Sequence, residues 1–81
     1  MIRVQYFARY REALGIDAEE LPHAAMKRIE DLRQHLLSRG GAWQVLGEQS
    51  LMCARNQELC SLDSELTDGD EVAFFPTVTG G

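Results

Sequence analysis

Alternating apolar and polar residues near the start of the chain predict a β-strand with one buried face. In residues 2–8, the apolar side chains of Ile2, Val4 and Tyr6 occupy every second position, which is the period of a half-buried strand. Because successive side chains of a strand point to opposite faces, we expect Phe7 on the outer face of the sheet.

Two later segments have the composition and spacing of helices. Residues 8–15 form a short run of helix formers that ends at Gly15, where a left-handed residue can terminate a helix. The longer segment runs from about residue 28 to residue 39, and its apolar stripe consists of Ile29, Leu32, Leu36 and Leu37. We predict that this second segment is the main helix of the domain.

Further strand patterns occur in segments bounded by proline, glycine or turn residues, at 17–21, 50–55 and 71–75. A turn is expected at residues 56–57, and a short segment follows it at 59–62. A second turn contains Gly69, which can adopt a positive φ. In the last strand, the period of two places Phe74 on the buried face and Phe75 on the outer face.

Phe7 and Phe75 are therefore both predicted on the outer face of the sheet. If the first and last strands are neighbours, the two rings form an apolar patch on a small acidic domain, and such patches mark contact surfaces. The alternative interpretation is that helices cover this face.

The length and charge of the chain limit the functions that are open to it. Its 81 residues allow one domain and leave little room for an enclosed active site. The net charge of −5 argues against nucleic-acid binding, which needs a basic surface. Residues 1–40 carry seven bases and six acids, whereas residues 41–81 carry one base and seven acids. The acidic second half is either a solvated surface or a face that docks on a basic partner.

The chain shows no secretory leader after Met1 and no apolar stretch long enough to span a bilayer, which predicts a cytoplasmic protein without a membrane partner. In that compartment we expect Cys53 and Cys60 to be reduced. Their seven-residue spacing matches neither a redox pair nor a zinc pair, and His23 and His35 add no ligand cluster, so no metal site is expected. We interpret both cysteines as small, partly buried apolar residues.

The last six residues are the chemically distinctive segment. Pro76 ends the last strand, and we expect residues 76–81 to form a flexible tail after a folded domain of residues 1–75. Gly80 and Gly81 lack a Cβ atom, so the tail could thread a narrow channel and bring its terminal carboxylate to catalytic groups of another protein. A carboxylate is a poor electrophile, so this chemistry requires activation by a partner. The alternative interpretation is ordinary fraying of the chain end.

Several motifs occur together in the pattern of a known family. They lie at residues 7–15 (FARYREALG), 32–35 (LRQH), 56–57 (NQ), 66–76 (LTDGDEVAFFP) and 78–81 (VTGG). In this combination the chain resembles, over nearly its whole length, the small sulfur-carrying subunit of molybdopterin synthase. The departures are small: Thr77 stands where many members have a second proline, and Arg55 stands where an apolar residue is common.

The resemblance implies an α+β, ubiquitin-like β-grasp fold, with a mixed sheet packed on one main helix and a flexible Gly-Gly tail. It also implies a chemistry. An adenylyltransferase resembling the ubiquitin activators uses ATP to adenylate the carboxylate of Gly81, and a sulfur donor protein then converts the adenylate to a thiocarboxylate. Two such deliveries turn cyclic pyranopterin monophosphate into molybdopterin. The domain itself binds no cofactor.

The resemblance also assigns roles to residues of this chain. Gly81 would carry the sulfur, and the residues that insert into the large subunit would be Pro76, Thr77, Val78, Thr79 and Gly80. The apolar docking patch of the family corresponds to Phe7, Leu59 and Phe75. The catalytic side chains would belong to the large subunit, in a heterotetramer of two small and two large subunits.

Three alternatives remain open from the sequence. A thiamin-pathway sulfur carrier shares the fold and the Gly-Gly end, but such proteins are usually shorter and lack the helical insert at residues 11–15. A ubiquitin-like protein modifier would join its carboxyl terminus to lysines. A thiol-redox protein would use Cys53 and Cys60, and their spacing disfavours it.

Overall fold

The structure, a computed structural model, describes residues 1–77. Along the chain, the elements are β1 (Ile2–Tyr6), α1 (Ala8–Leu14), β2 (Ala18–Leu21), α2 (Ile29–Leu37), a 3₁₀ helix (Gly41–Gly47), β3 (Met52–Arg55), β4 (Glu58–Cys60) and β5 (Glu71–Phe75). The strands of this part form one sheet in the order β2–β1–β5–β3–β4. β1 and β5 are parallel, and the other neighbouring strands are antiparallel. Within residues 1–77, no helix is both long and apolar enough to cross a membrane.

The alternating pattern of the two central strands builds the core, as the sequence predicted. Val4 of β1 lies opposite Val72 of β5, and Tyr6 lies opposite Phe74. All four side chains are buried in one cluster, which α2 completes with Ile29, Leu32 and Leu36. This mixed sheet packed on one main helix is the β-grasp arrangement that the sequence motifs implied.

The main helix is shorter than the sequence predicted, Ile29–Leu37 instead of 28–39. No Ser or Thr caps its first turn. Instead, the carboxylate of Asp31 turns back to the helix start. It accepts hydrogen bonds from the backbone N–H groups of Lys27, at 2.9 Å, and of Arg28, at 3.1 Å. Asp31 thereby satisfies donors at the helix start and places a negative charge at the positive end of the helix dipole.

The turn residues adopt the left-handed conformations that the sequence predicted. Gly15 has a φ of 76° and ends α1, and Gly69 has a φ of 94° in the turn before β5. Asn56 and Gln57 also have positive φ, 50° and 71°. Such a two-residue turn matches the twist of its flanking strands, so β4 begins directly after it.

The third strand begins later than predicted, and the segment after the turn at 56–57 contains a fourth strand. β3 begins at Met52, two residues later than predicted, because residues 48–51 form a hydrogen-bonded turn. The short segment expected at 59–62 begins with the strand β4, which ends at Cys60 because residues 61–64 form another such turn.

The 3₁₀ helix closes one edge of the core. The ring of Trp43 meets the ring of Tyr6 edge to face, with centroids 5.5 Å apart. The guanidinium of Arg39 lies 4.4 Å from the centroid of Trp43 and also donates two hydrogen bonds of 2.9 Å to Glu19. A 3₁₀ helix this short has no 3.6-residue period, so the apolar pattern could not reveal it.

Asp70 is the one polar residue that is buried in the described part of the chain. Its carboxylate accepts hydrogen bonds from Arg55 Nε at 2.7 Å, the N–H of Thr67 at 2.8 Å and Asn56 Nδ2 at 3.1 Å. Burial alone would raise the pKa of Asp70, but these donors outweigh burial and lower it. The network ties the turn before β5 to the turn between β3 and β4.

Candidate functional site

The parallel pairing of the two central strands brings Phe7 and Phe75 to the same end of the sheet. Tyr6 lies opposite Phe74, and the N–H of Phe7 donates to the carbonyl of Phe74 at 3.2 Å. The Phe7 side chain is 43% exposed and Phe75 is half-buried. The prediction of two outward aromatic residues on neighbouring strands is confirmed.

Strand pairing extends this apolar surface across the sheet. Met52 of β3 lies opposite Phe75, and Leu59 of β4 lies opposite Ala54, which itself pairs with Ala73. Paired residues of neighbouring strands project to the same face. We name the following four residues the outer apolar patch: Phe7, Met52, Leu59 and Phe75.

The outer apolar patch faces outward and is accessible. Met52 is 37% exposed and Leu59 is 71% exposed. The alternative interpretation, in which helices cover this face, is therefore wrong. Sequence reasoning from the strand pattern missed Met52, because residues 50–55 read as a buried strand and only the pairing with β5 reveals the outward position.

Some acidic side chains of the second half of the chain form ion pairs with basic side chains of the first half. Both terminal nitrogens of Arg9 donate to the carboxylate of Glu48, and Arg3 Nε lies 4.0 Å from a carboxylate oxygen of Glu71. Bases of the first half thus meet acids of the second half. A basic docking partner for the remaining acids stays a prediction.

A polar clamp holds α1 next to the outer apolar patch. Besides Arg9, the hydroxyl of Tyr10 donates to Glu48 at 3.1 Å. Burial first, and then the charge of Glu48, raise the pKa of Tyr10 to about 12, so its hydroxyl remains a donor at neutral pH. The hydrogen bond from Arg9 lowers the pKa of Glu48. α1 directly follows Phe7, and Glu48 lies two residues before Ser50, whose carbonyl contacts Thr77. The clamp therefore connects the Phe7 side of the site with the side at Thr77.

The last two described residues, Pro76 and Thr77, lie beside Ser50 and the start of β3. The hydroxyl of Thr77 donates to the carbonyl of Ser50, and Thr77 is exposed. Pro76, which the sequence placed in the flexible tail, is buried against the folded domain. The reason is that β3 runs antiparallel to β5, so the start of β3 flanks the residues after Phe75. The remaining predicted tail residues lie outside the described residues: Val78, Thr79, Gly80 and Gly81.

Two depressions lie elsewhere on the described part of the surface. Residues 1–77 hold no group of three or more His, Cys, Asp or Glu side chains that could bind a metal ion. One depression of about 350 Å³ is lined by residues that include His23, Lys27 and Thr67. Another, of about 420 Å³, is lined by residues that include Pro22 and His35. Neither includes a residue of the outer apolar patch, so the patch and the segment at Thr77 form the candidate site.

Comparisons with known proteins place this site in a family context. A profile of the ThiS family matches residues 4–81. The chain is 50% identical over 82 residues to the molybdopterin synthase sulfur carrier subunit of Escherichia coli, and the match covers 100% of both chains.

Two solved structures share the fold. The putative molybdopterin converting factor, subunit 1, of Pyrococcus furiosus has a TM-score of 0.72 at 35% identity, covering 95% of this chain and 97% of that one. SAMP1 from Haloferax volcanii has a TM-score of 0.80 at 25% identity, covering 99% and 98%. The predicted ubiquitin-like β-grasp fold is thereby confirmed.

Proposed function

The chain belongs to the ThiS family, and from this premise we propose that it is the sulfur carrier subunit of a molybdopterin synthase. The resemblance to that small subunit, drawn from the sequence motifs, is confirmed by the relative that matches over the full length. One structural observation carries the proposal: Thr77, four residues before the chain end, follows directly on the end of β5, whose Phe75 belongs to the outer apolar patch. A protein that binds the patch would therefore also receive the tail.

In this proposal the reacting group is the terminal carboxylate of Gly81. An adenylyltransferase joins this carboxylate to the adenylate of ATP and releases pyrophosphate. A sulfur donor protein then replaces the adenylate with sulfur, which leaves a thiocarboxylate at the end of the chain. The folded domain supplies no catalytic side chain and no cofactor; its part is to present the tail.

We further propose that the large synthase subunit docks on the outer apolar patch. Apolar side chains at the centre of an interface supply much of its binding energy, and Phe7, Leu59 and Phe75 are the residues that the family resemblance assigned to this role. Residues 77–80 would thread the large subunit, whereas Pro76 stays packed on the domain. The large subunit would contribute the catalytic side chains in a two-plus-two heterotetramer. The proposed setting is the cytoplasm.

Sulfur loading can be tested by intact-mass analysis. After incubation with the cognate adenylyltransferase, ATP and a sulfur donor, we expect the mass to rise by the difference between one sulfur atom and one oxygen atom. The same mixture without ATP is the control, and its mass should not change. An unchanged mass with an active enzyme would contradict the proposal. A protein modifier would instead yield conjugates with lysine-bearing proteins.

The docking face can be tested by replacing Phe75 with alanine. We expect Phe75→Ala to weaken binding to the large subunit by roughly 1–3 kcal/mol, because an aromatic residue buried at an interface loses its contact area. Isothermal titration calorimetry would measure the affinity. A matched control is Leu37→Ala, which truncates a half-buried residue of α2 on the opposite face of the sheet. Equal losses in both variants, or none in Phe75→Ala, would count against the docking face.

A further inference from the structure

Two thiols face each other across the β3–β4 hairpin. Cys53 pairs with Cys60 in the strand register, and their Sγ atoms lie 3.6 Å apart. The sequence interpretation treated them as separate apolar residues, because seven residues of spacing match no redox motif. That interpretation missed their proximity, which depends on the two-residue turn at 56–57.

The hairpin register also places their backbones at a distance that suits a disulfide. In a two-residue hairpin, Arg55 and Glu58 form the hydrogen-bonded pair next to the turn, and Cys53 and Cys60 are the next such pair. Cα atoms of such pairs lie about 5.5 Å apart, within the roughly 4.4–6.8 Å that disulfides span. Side-chain rotation, without strand movement, can therefore close the bond.

The two thiols differ in accessibility. Cys53 is only 2% exposed; burial, and then its hydrogen bond with Cys60, raise its pKa to about 12. Cys60 is half-buried and lies on β4, the strand at the edge of the sheet. A reagent in solution therefore meets Cys60 first, and Cys53 is held beside it as a second thiol.

We propose that Cys53 and Cys60 form a reactive dithiol that a low-molecular-weight disulfide oxidises to an intrachain disulfide. The Cys60 thiolate, having lost its proton to solvent, attacks one sulfur of the reagent; the reagent's S–S bond breaks and releases one thiolate. Cys53 then loses its proton and attacks Cys60 Sγ, which releases the second thiolate. Two electrons pass from the protein to the reagent, which leaves as two thiols after taking up two protons.

This dithiol does not depend on the proposed function of the chain end. Successive residues of β4 point to opposite faces, so Cys60 faces the core side while its neighbour Leu59 belongs to the outer apolar patch. Closing the disulfide would fasten the edge strand β4 to β3 while leaving the patch exposed.

Oxidised glutathione is a suitable probe for this chemistry. Incubation of the full-length reduced protein should remove the mass of two hydrogen atoms, without adding glutathione. Trypsin cleaves after Arg55, which lies between the two cysteines, so a non-reducing digest should yield one linked pair of peptides. A reducing agent should restore the original mass.

Single substitutions separate the two steps. Cys53→Ala should accumulate a stable mixed disulfide with glutathione at Cys60, because the second thiol is missing. Cys60→Ala should remain unmodified over the same period, because Cys53 is buried; circular dichroism would show that each variant is folded. If the unsubstituted protein retains glutathione as Cys53→Ala does, or forms disulfide-linked dimers, the proposal is overturned. The proposal is also overturned if both thiols of the unsubstituted protein stay reduced while Cys53→Ala gains glutathione. The tryptic digest tests the proposal on the unsubstituted protein alone.

Discussion

Deletion of Gly81 is expected to abolish sulfur loading and molybdopterin formation while leaving the folded domain intact. The proposed chemistry takes place at the terminal carboxyl carbon, and removing one residue withdraws the new terminus by about 3.3–3.6 Å along an extended chain. Reacting atoms must approach to about 3–3.5 Å with correct orientation, so the shortened tail should miss the catalytic groups of its partners. Adding one residue after Gly81 should have the same effect.

Both functions of the truncated protein can be measured. Intact-mass analysis reports sulfur loading, and a reconstituted synthase reports molybdopterin. Gly47→Ala is a matched control: a Cβ atom at Gly47 would meet Leu37 Cδ2 at 3.5 Å, an ordinary contact, and this site is far along the chain from the tail. Gly47→Ala should remain active. Molybdopterin formation by the truncated chain at the unmodified rate would show that the tail mechanism is wrong.

Replacement of Asp70 by alanine is expected to lower the free energy of unfolding by about 2–3 kcal/mol, because it removes a buried carboxylate that accepts three hydrogen bonds. For a domain of this size, such a loss corresponds to a fall in Tm of roughly 10–20 °C. The two turns that Asp70 joins would lose this connection, through Thr67 on one side and through Asn56 and Arg55 on the other. Thermal unfolding followed by circular dichroism measures the change. Asp63→Ala, which removes an exposed acid of the same charge, should change Tm little.

The contribution of Asp70 should also depend on pH in a defined direction. Its pKa in the folded state is lowered from the ordinary value of 3.8. A lowered carboxyl pKa stabilises the fold at pH above 3.8, and the stabilisation disappears as pH falls through the folded-state pKa. The difference in unfolding free energy between the protein and Asp70→Asn should therefore be constant near neutral pH and shrink below about pH 4. A difference that stays constant into acid would mean that the Asp70 charge does not stabilise the fold.

Local patterns predicted much of the fold because they depend on few residues. The period of two in β1 and β5 was enough to assign the buried and outer faces, and Phe7 and Phe75 followed from it. The turn residues Gly15 and Gly69 were predictable because their conformation is set by the residue itself.

Features that depend on strand pairing were not predictable from the chain alone. Met52 joins the outer apolar patch only because it lies opposite Phe75, and Cys53 meets Cys60 only through the hairpin register. Pro76 packs against the domain because β3 begins beside it, a relation between segments that are distant in sequence. The aromatic residues of the candidate site were therefore predicted from the sequence, whereas the position of Met52 and the packing of Pro76 were not.

Trp43 is the single tryptophan of the chain, and its packing between Arg39 and Tyr6 has a practical consequence. Its intrinsic fluorescence reports on the helix side of the core, where unfolding changes the contact with Tyr6, and not on the face that carries the outer apolar patch. Emission from Trp43 can therefore follow the loss of structure in Asp70→Ala. The same signal should stay constant when a tryptophan-free partner docks on the outer face, which gives an optical readout that separates folding from assembly.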